Sequence, residues 1–219
     1  STKMLPEGFL AQAATAAGID ASAVTRFAGT EPADVAPLLS QELASADTSV
    51  TAVFANAART SDALAAAWVA ATRPGATLLL TRADGSLPPE AIAYLSAHSA
   101  DVTATVSVGP VPDAATAGLP NRMRLGGADA GITQVASIDA SRPAGPVWLF
   151  AYNPDVATDA VIATTAAVRA QGITMPIFRG RVLSAYEREW LENRASRVQG
   201  VTMVGQTTTL PAVADMMIE

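Results

Sequence analysis

The chain has 219 residues, of which 50% are apolar and 16% are charged, and its 20 acidic and 14 basic residues give a net charge of −6. This composition indicates one or two packed domains and excludes a disordered chain. The absence of a polybasic stretch argues against nucleic acid as a partner, and no apolar run approaches the ~20 residues of a membrane-spanning helix.

Short apolar runs alternate with longer helical stretches along the whole chain. Strands are predicted at Ala23–Phe27, Thr51–Ala55, Ala76–Thr81, Val102–Val108, Met123–Leu125, Val147–Ala151, Ile173–Phe178 and Gly200–Val204. Helices are predicted at Gly8–Ala17, Asp34–Ala44, Ser61–Arg73, Pro88–His98, Ile132–Ile138, Thr158–Ala170, Leu183–Arg194 and Leu210–Met217. Strands that alternate with helices predict an α/β protein with open, mostly parallel sheets and helices on both faces.

The second half of the sequence resembles the first at a nearly constant spacing. Asp62 and Asp159 are 97 residues apart, as are Gly75 and Gly172. Arg26-Phe-Ala-Gly29 matches Arg124-Leu-Gly-Gly127 at 98 residues, and Val108-Gly109 matches Val204-Gly205 at 96. A period of this length predicts two domain-sized, pseudo-symmetric repeats. We expect an N-terminal helix and linker over 1–21, a first repeat over 22–121 and a second over 122–219.

These motifs, in this order, resemble the cell wall-binding repeat 2 family of Gram-positive surface proteins. The Arg-x-x-Gly segments at Arg26 and Arg124 match the opening of the family's repeat, and Asp129 completes that opening in the second unit. Ser61-Asp62-Ala63-Leu64 matches a helix start, and Leu78-Leu79-Leu80 with Leu87-Pro88 matches a strand and the next helix start. The resemblance covers about residues 22–219. The chain departs from the family in having two units and not three, and in lacking the Arg-Tyr pair that follows the opening.

The resemblance implies an open α/β fold, no cofactor, and non-covalent binding of an anionic cell-wall polymer. It also implies an extracytoplasmic protein that is secreted, wall-bound or lipid-anchored, and the start Ser1-Thr2-Lys3 is compatible with a processed leader. Lys3 is the only lysine and alanine is abundant, which indicates a GC-rich genome such as an actinobacterial one. The sequence leaves open whether the chain forms a homo-oligomer.

The candidate ligand-binding residues lie where strands end and helices begin, which is where open parallel sheets bind ligands. They are Arg26, Asp62, Arg124, Asp129, Asp159, Arg179 and Arg181. Arginines at these positions are suited to phosphate or carboxylate. The alternatives are structural: the two repeated aspartates can complement the helix dipole, and the arginines can form salt bridges within the fold.

The sequence contains no catalytic signature. It has no nucleophile elbow, dinucleotide fingerprint or phosphate-binding loop, and a chain with no cysteine and only His98 as histidine has too few ligands for zinc. His98 ends a predicted helix, where a cap or surface role is expected. We therefore predict a non-enzyme without a metal site, and the family resemblance implies that it binds wall polymer. The alternatives are an interaction scaffold for an envelope enzyme or transporter, and a hydrolase built around His98.

Overall fold

The computed structural model describes residues 7–43, 49–141, 146–153, 156–176 and 185–205. The helices are α1 (Glu7–Ala17), α2 (Pro32–Leu43), α3 (Thr60–Ala71), α4 (Pro89–Ala97), α5 (Ala130–Ser141), α6 (Ala157–Ala170) and α7 (Ala185–Arg194). The strands are β1 (Val50–Asn56), β2 (Ala76–Thr81), β3 (Val102–Val108), β4 (Arg122–Leu125), β5 (Val147–Tyr152), β6 (Ile173–Pro176) and β7 (Val198–Val204). Among these residues, no helix has both the length and the apolar character to cross a membrane.

The strands form two sheets, and every strand pairing in them is parallel. The first sheet has the order β2-β1-β3-β4, and the second has the order β6-β5-β7. An α-helix connects β1 to β2, β2 to β3, β5 to β6 and β6 to β7, whereas β3 and β4 are connected by a loop with a short 3-10 helix at Asp113–Thr116; parallel pairing requires such crossovers. The predicted open, parallel α/β fold is confirmed.

The first sheet is covered on both faces, which explains why its strands read as continuous apolar runs. On one face Phe54 of β1 packs in a buried cluster with Tyr94 of α4. On the other face Val53 belongs to a cluster with Ala66 and Val69 of α3. Side chains from both sides of β1 are therefore core residues, and the sheet sits between α4 and α3.

The two halves share one core through α3. Trp68 of α3 is 1% exposed and belongs to the apolar cluster of the second sheet, with Leu149, Tyr152 and Trp190. The same helix packs on β1 and against α5 and α6. Burial of a tryptophan from the first half in the core of the second ties the two sheets together.

The elements of the two halves follow in the same order at nearly constant spacing. β1 begins at 50 and β5 at 147, 97 residues later; β2 and β6 begin at 76 and 173, again 97 apart. α2 and α5 begin 98 apart, at 32 and 130, and β3 and β7 begin 96 apart, at 102 and 198. A register irregularity occurs at Val50/Thr51 in β1 and at the corresponding Val147/Trp148 in β5.

Some predicted elements differ from the structure. The predicted strand Ala23–Phe27 is wrong: Ala23 ends a short 3-10 helix, and residues 24–29 have no regular secondary structure. The predicted helix Leu210–Met217 and the end of the predicted strand after residue 176 lie outside the described residues. β4, which lies beyond the predicted repeat boundary at 121/122, pairs with β3 in the first sheet.

Candidate functional site

Five residues meet at the carboxyl edge of the first sheet, where the second half of the chain begins. They are Arg59 and Asp62 at the start of α3, Gly109 after β3, Arg124 in β4 and Asp129 before α5, and we call them the junction cluster. Because the strands are parallel, their carboxyl ends lie at one edge, and the loops that follow them come together there. Three of the seven residues predicted from sequence, Asp62, Arg124 and Asp129, belong to this cluster.

Asp62 is the buried centre of the cluster, with 1% of its surface exposed. Its Oδ2 accepts a hydrogen bond from Nε of Arg59 in an ion pair, while its Oδ1 is buried with no hydrogen-bond partner among the described residues. Burial raises the pKa of the Asp62 carboxyl, the hydrogen bond and charge of Arg59 oppose that rise, and the charge of Asp129 adds to it. A carboxylate in this environment depends on Arg59 to stay ionised.

Gly109 lets the loop after β3 pass directly over the Asp62 carboxylate. It has a φ of 72°, and a Cβ at this position would lie 2.5 Å from Oδ2 of Asp62. Both the left-handed backbone and the close approach require glycine. The Val108-Gly109 motif therefore closes the top of the cluster.

Arg124 holds the same loop against β4. Its Nη1 donates to the carbonyl oxygen of Gly109 at 3.1 Å, and its Nη2 donates to the carbonyl of Val111 at 2.8 Å and to Oδ1 of Asp113 at 2.7 Å. The side chain is still 38% exposed. This is the structural salt bridge considered as an alternative for Arg124, although part of the guanidinium faces solvent.

Asp129 caps α5 and remains exposed. Its Oδ1 accepts the backbone N–H of Ile132 at 2.9 Å, and its carbonyl accepts the hydroxyl of Thr133. Next to it, Nη2 of Arg59 donates to the carbonyl of Ala128 at 2.8 Å. Arg59 thus bridges the first turn of α3 and the loop that precedes α5.

The other predicted site residues lie elsewhere. Asp159 is in the first turn of α6, at the carboxyl edge of the second sheet, and its buried Oδ2 has no hydrogen-bond partner in the described part of the chain. Arg26 is half-buried in the segment 24–29. Arg179 and Arg181 lie outside the described residues, so their predicted role stays a prediction.

Sequence reasoning missed two arginines at this edge. Arg59 precedes Asp62 by three residues across a helix start, a spacing that brings the two side chains together. Arg82 follows β2 at the position 97 residues before Arg179, a spacing visible in the sequence. Nη2 of Arg82 donates to Oδ1 of Asp34 at 2.9 Å, joining the end of β2 to the start of α2.

Asp34 also caps its own helix, and its pKa falls to about 2. The hydroxyl and backbone N–H of Thr30 donate to Oδ2 at 2.7 Å and 3.0 Å. The Thr30 hydroxyl is the main cause of the lowered pKa, and Arg82 is the next. In the second half, α5 has Ile132 at the position of Asp34, and Arg179, 97 residues after Arg82, lies outside the described residues.

His98 is the C-cap residue of α4, as predicted. Its Nδ1 lies 3.3 Å from Oδ2 of Asp101, and its ring packs beside that of Tyr94. Across the described ranges, no three or more His, Cys, Asp or Glu side chains are grouped closely enough to hold a metal ion.

Comparison with solved structures relates this fold to two clostridial proteins. Cwp8 from Clostridium difficile matches with a TM-score of 0.76 over 100% of this chain and 36% of its own, at 17% identity. Cwp6 from Clostridium difficile matches with a TM-score of 0.69 over 85% of this chain and 30% of its own, at 16% identity. At these identities the likeness is one of fold, and this chain spans about a third of each matched protein. No protein-family profile and no curated protein matches the chain.

Proposed function

We propose that this protein is a non-catalytic component of the bacterial cell envelope that binds anionic wall glycopolymer through two related α/β units. The observation that carries the proposal is the similarity of the whole chain to Cwp8, a cell wall protein, with a second cell wall protein, Cwp6, sharing the fold. The resemblance of the sequence motifs to wall-binding repeats points in the same direction. The proposed location is extracytoplasmic.

The junction cluster supplies groups that suit such a polymer. Arg59 and Arg124 are both about one-third exposed, with side-chain exposures of 35% and 38%. Their internal hydrogen bonds hold each guanidinium in place, so little side-chain entropy is lost on binding. Charged hydrogen bonds from arginine suit phosphates or carboxylates of a polymer, and the exposed carboxylate of Asp129 suits a sugar hydroxyl.

A single cluster with two partly exposed arginines is expected to bind weakly, so affinity in this proposal comes from repetition along the polymer. The second sheet presents its own carboxyl edge, where Asp159 begins α6 and where the sequence predicts Arg179 and Arg181 as ligand-binding residues. Two sites on one chain raise the effective concentration of a polymer already held at one of them.

Co-sedimentation with purified Gram-positive cell wall tests the proposal. We expect binding at low ionic strength that declines between about 50 and 300 mM salt, since exposed charge pairs are screened over about 10 Å at 0.1 M. Arg124→Gln should weaken binding several-fold. Arg73→Gln is the matched control, because Arg73 follows α3 at the opposite, amino-terminal edge of the sheet.

The outcomes are distinct. Salt-sensitive binding that Arg124→Gln weakens and Arg73→Gln leaves intact supports the proposed site. Absence of wall binding at low salt rejects polymer binding, and an equal effect of the two substitutions rejects the junction cluster as the site. Circular dichroism of both variants shows whether a loss of binding reflects a loss of fold.

An interaction scaffold is the second candidate, and exposed apolar side chains favour it. Val161 and Ile162 of α6 are 56% and 58% exposed, and Trp148 of β5 is 46% exposed. Neighbouring apolar side chains on a surface, such as Val161 and Ile162, are typical of a protein interaction site. Copurification of an envelope protein that depends on Ile162, together with absent wall binding, would favour the scaffold.

A further inference from the structure

We infer that copies of this chain associate head to tail, through an apolar face on α6 and the outer edge of β7. The corresponding surface of the first half, on α3 and β3, is covered by the second half of the chain. We call it the acceptor face and define it by Val161, Ile162, Val168 and β7. The inference does not depend on polymer binding.

The acceptor face is apolar and open. Val161, Ile162 and Val168 of α6 are 56%, 58% and 38% exposed, and Val201 of β7 is 38% exposed. Residues 161 and 168 are seven apart, two helical turns, so they lie on one side of α6 with residue 162 beside them. Large aliphatic side chains in such a row on one helix are typical of a surface that another chain covers.

Two of the three corresponding positions of α3 are covered by the second half, whereas Ala71, the counterpart of Val168, is exposed. Ala65, the counterpart of Ile162, is 1% exposed and belongs to a core cluster that Ala136 and Ala140 of α5 pack against. Leu64, the counterpart of Val161, packs against the core of the second sheet. The side of α3 that forms the contact between the halves is thus the side that α6 leaves exposed.

The sheet edges show the same difference. β3 pairs with β1 on one side and with β4 on the other. β7, which begins 96 residues after β3, pairs only with β5 among the described residues. An outer strand without a partner presents a row of unpaired backbone N–H and C=O groups, to which another strand can be added.

The chain also carries a second copy of the elements that cover α3 and β3, of which α2 already packs on β2 and α4. Those elements are β4 and α5, and their counterparts, 98 residues earlier, are the segment 24–29 and α2. The segment 24–29 forms no strand in the described structure. On α2, Leu39 is 43% exposed, whereas its α5 counterpart Ser137 is fully buried. We call the segment 24–29 and the Leu39 side of α2 the donor face.

The described part of each chain therefore has one donor face and one acceptor face, and they are different surfaces. Complementary but different surfaces on one molecule join head to tail, giving a ring if the rotation closes and a chain of molecules if it does not. This pairing commits the occupant to a second copy of the same protein. In the assembly, residues 24–27 add a parallel strand beside β7, and α2 packs on α6.

Sedimentation velocity and light scattering over a range of protein concentrations test the inference. We expect the mean mass to rise with concentration and to be insensitive to salt, because the contact is apolar. Ile162→Asp should raise the dissociation constant at least ~10-fold, as expected for a charge placed in an apolar contact. Ile92→Asp is the matched control, since Ile92 of α4 is 56% exposed and lies outside both faces.

A mixing experiment distinguishes head-to-tail contact from a symmetric one. Leu39→Asp and Ile162→Asp should each be monomeric alone. Mixed in equal amounts they should form a dimer and nothing larger, because one intact donor face and one intact acceptor face remain. A wild-type protein that stays monomeric at high concentration, a mixture that stays monomeric, or an Ile92→Asp variant as defective as Ile162→Asp would each overturn the inference.

Discussion

Replacing Arg59 by alanine removes the guanidinium that faces the buried carboxylate of Asp62. Breaking a fully buried ion pair costs about 3–5 kcal/mol, and losing an exposed pair costs less than about 1 kcal/mol. Asp62 is 1% exposed but the Arg59 side chain is 35% exposed, so we expect a cost of about 2 kcal/mol at neutral pH. Without the Arg59 guanidinium, the pKa of Asp62 should rise further, because nothing then opposes the effect of burial.

The pH dependence tests the cause of this cost. The pKa of Asp62 is raised in the folded protein, so the folded state binds a proton more readily than the unfolded chain. The stability that comes from protonated Asp62 is therefore present below the unfolded pKa of about 3.9 and is lost as pH rises through the folded pKa. In Arg59→Ala the pKa of Asp62 rises further, so this loss of stability continues to higher pH. The difference in free energy of unfolding between wild type and Arg59→Ala should shrink as the pH approaches 4, because Asp62 is then protonated in both folded proteins.

The assay is urea unfolding of dilute protein followed by circular dichroism, between pH 4 and 8. Wild type, Arg59→Ala, Asp62→Asn and the double variant form a double-mutant cycle. In the Asp62→Asn background, Arg59→Ala should cost less than about 1 kcal/mol, because only the hydrogen bond to the Ala128 carbonyl remains to be lost. An equal cost in both backgrounds, or a cost that does not change with pH, would refute the reasoning.

Three further predictions follow from buried contacts. Gly109→Ala should lower the free energy of unfolding by at least about 1 kcal/mol more than Gly118→Ala, as measured by urea unfolding. Both substitutions add left-handed backbone strain. Only at Gly109 would the new Cβ meet a side chain, because nothing lies within 4 Å of a Cβ at Gly118. Trp68→Ala should cost about 3–5 kcal/mol and Trp148→Ala less than about 1 kcal/mol, since Trp68 is 1% and Trp148 46% exposed; similar melting temperatures for the two would contradict a shared core. The Asp34 carboxyl, with a folded pKa of about 2, stabilises the folded state above the unfolded pKa of about 3.9 and loses this contribution as pH falls. Asp34→Asn should therefore make the free energy of unfolding fall less steeply with pH below about 3.9. An unchanged dependence of stability on acid pH would contradict the capping role.

Much of the fold could be read from the sequence because parallel strands buried on both faces leave continuous apolar runs. β2 and β3 were predicted with the bounds that the structure shows. Ala23–Phe27 has similar composition to those strands but is not one, since a strand also needs a neighbour to pair with. The related segment at Arg122–Leu125 is a strand because β3 lies beside it. Local sequence gives the capacity to form a strand, and tertiary contact decides whether it forms.

The candidate site was harder to predict than the fold. The spacing of Asp62 and Asp159 located helix starts correctly, but sequence alone did not show that Asp62 would be buried beneath Gly109. Arg124 was expected at a strand end and is there, yet its carbonyl and carboxylate partners lie 11 to 15 residues earlier in the chain. Partners of this kind depend on how a loop folds back, which composition and periodicity do not record.

Because β4 pairs with β3, the first sheet includes residues that belong to the second sequence repeat. The boundary of the sequence repeat and the boundary of the folded sheet therefore differ. Cutting the chain between residues 121 and 122 would separate an edge strand from its own sheet, so a first half ending there should aggregate or unfold. The smallest piece expected to keep the first sheet complete must extend past Leu125. Exchange of whole units between related genes would meet the same constraint, because each unit arrives needing a strand encoded by its neighbour.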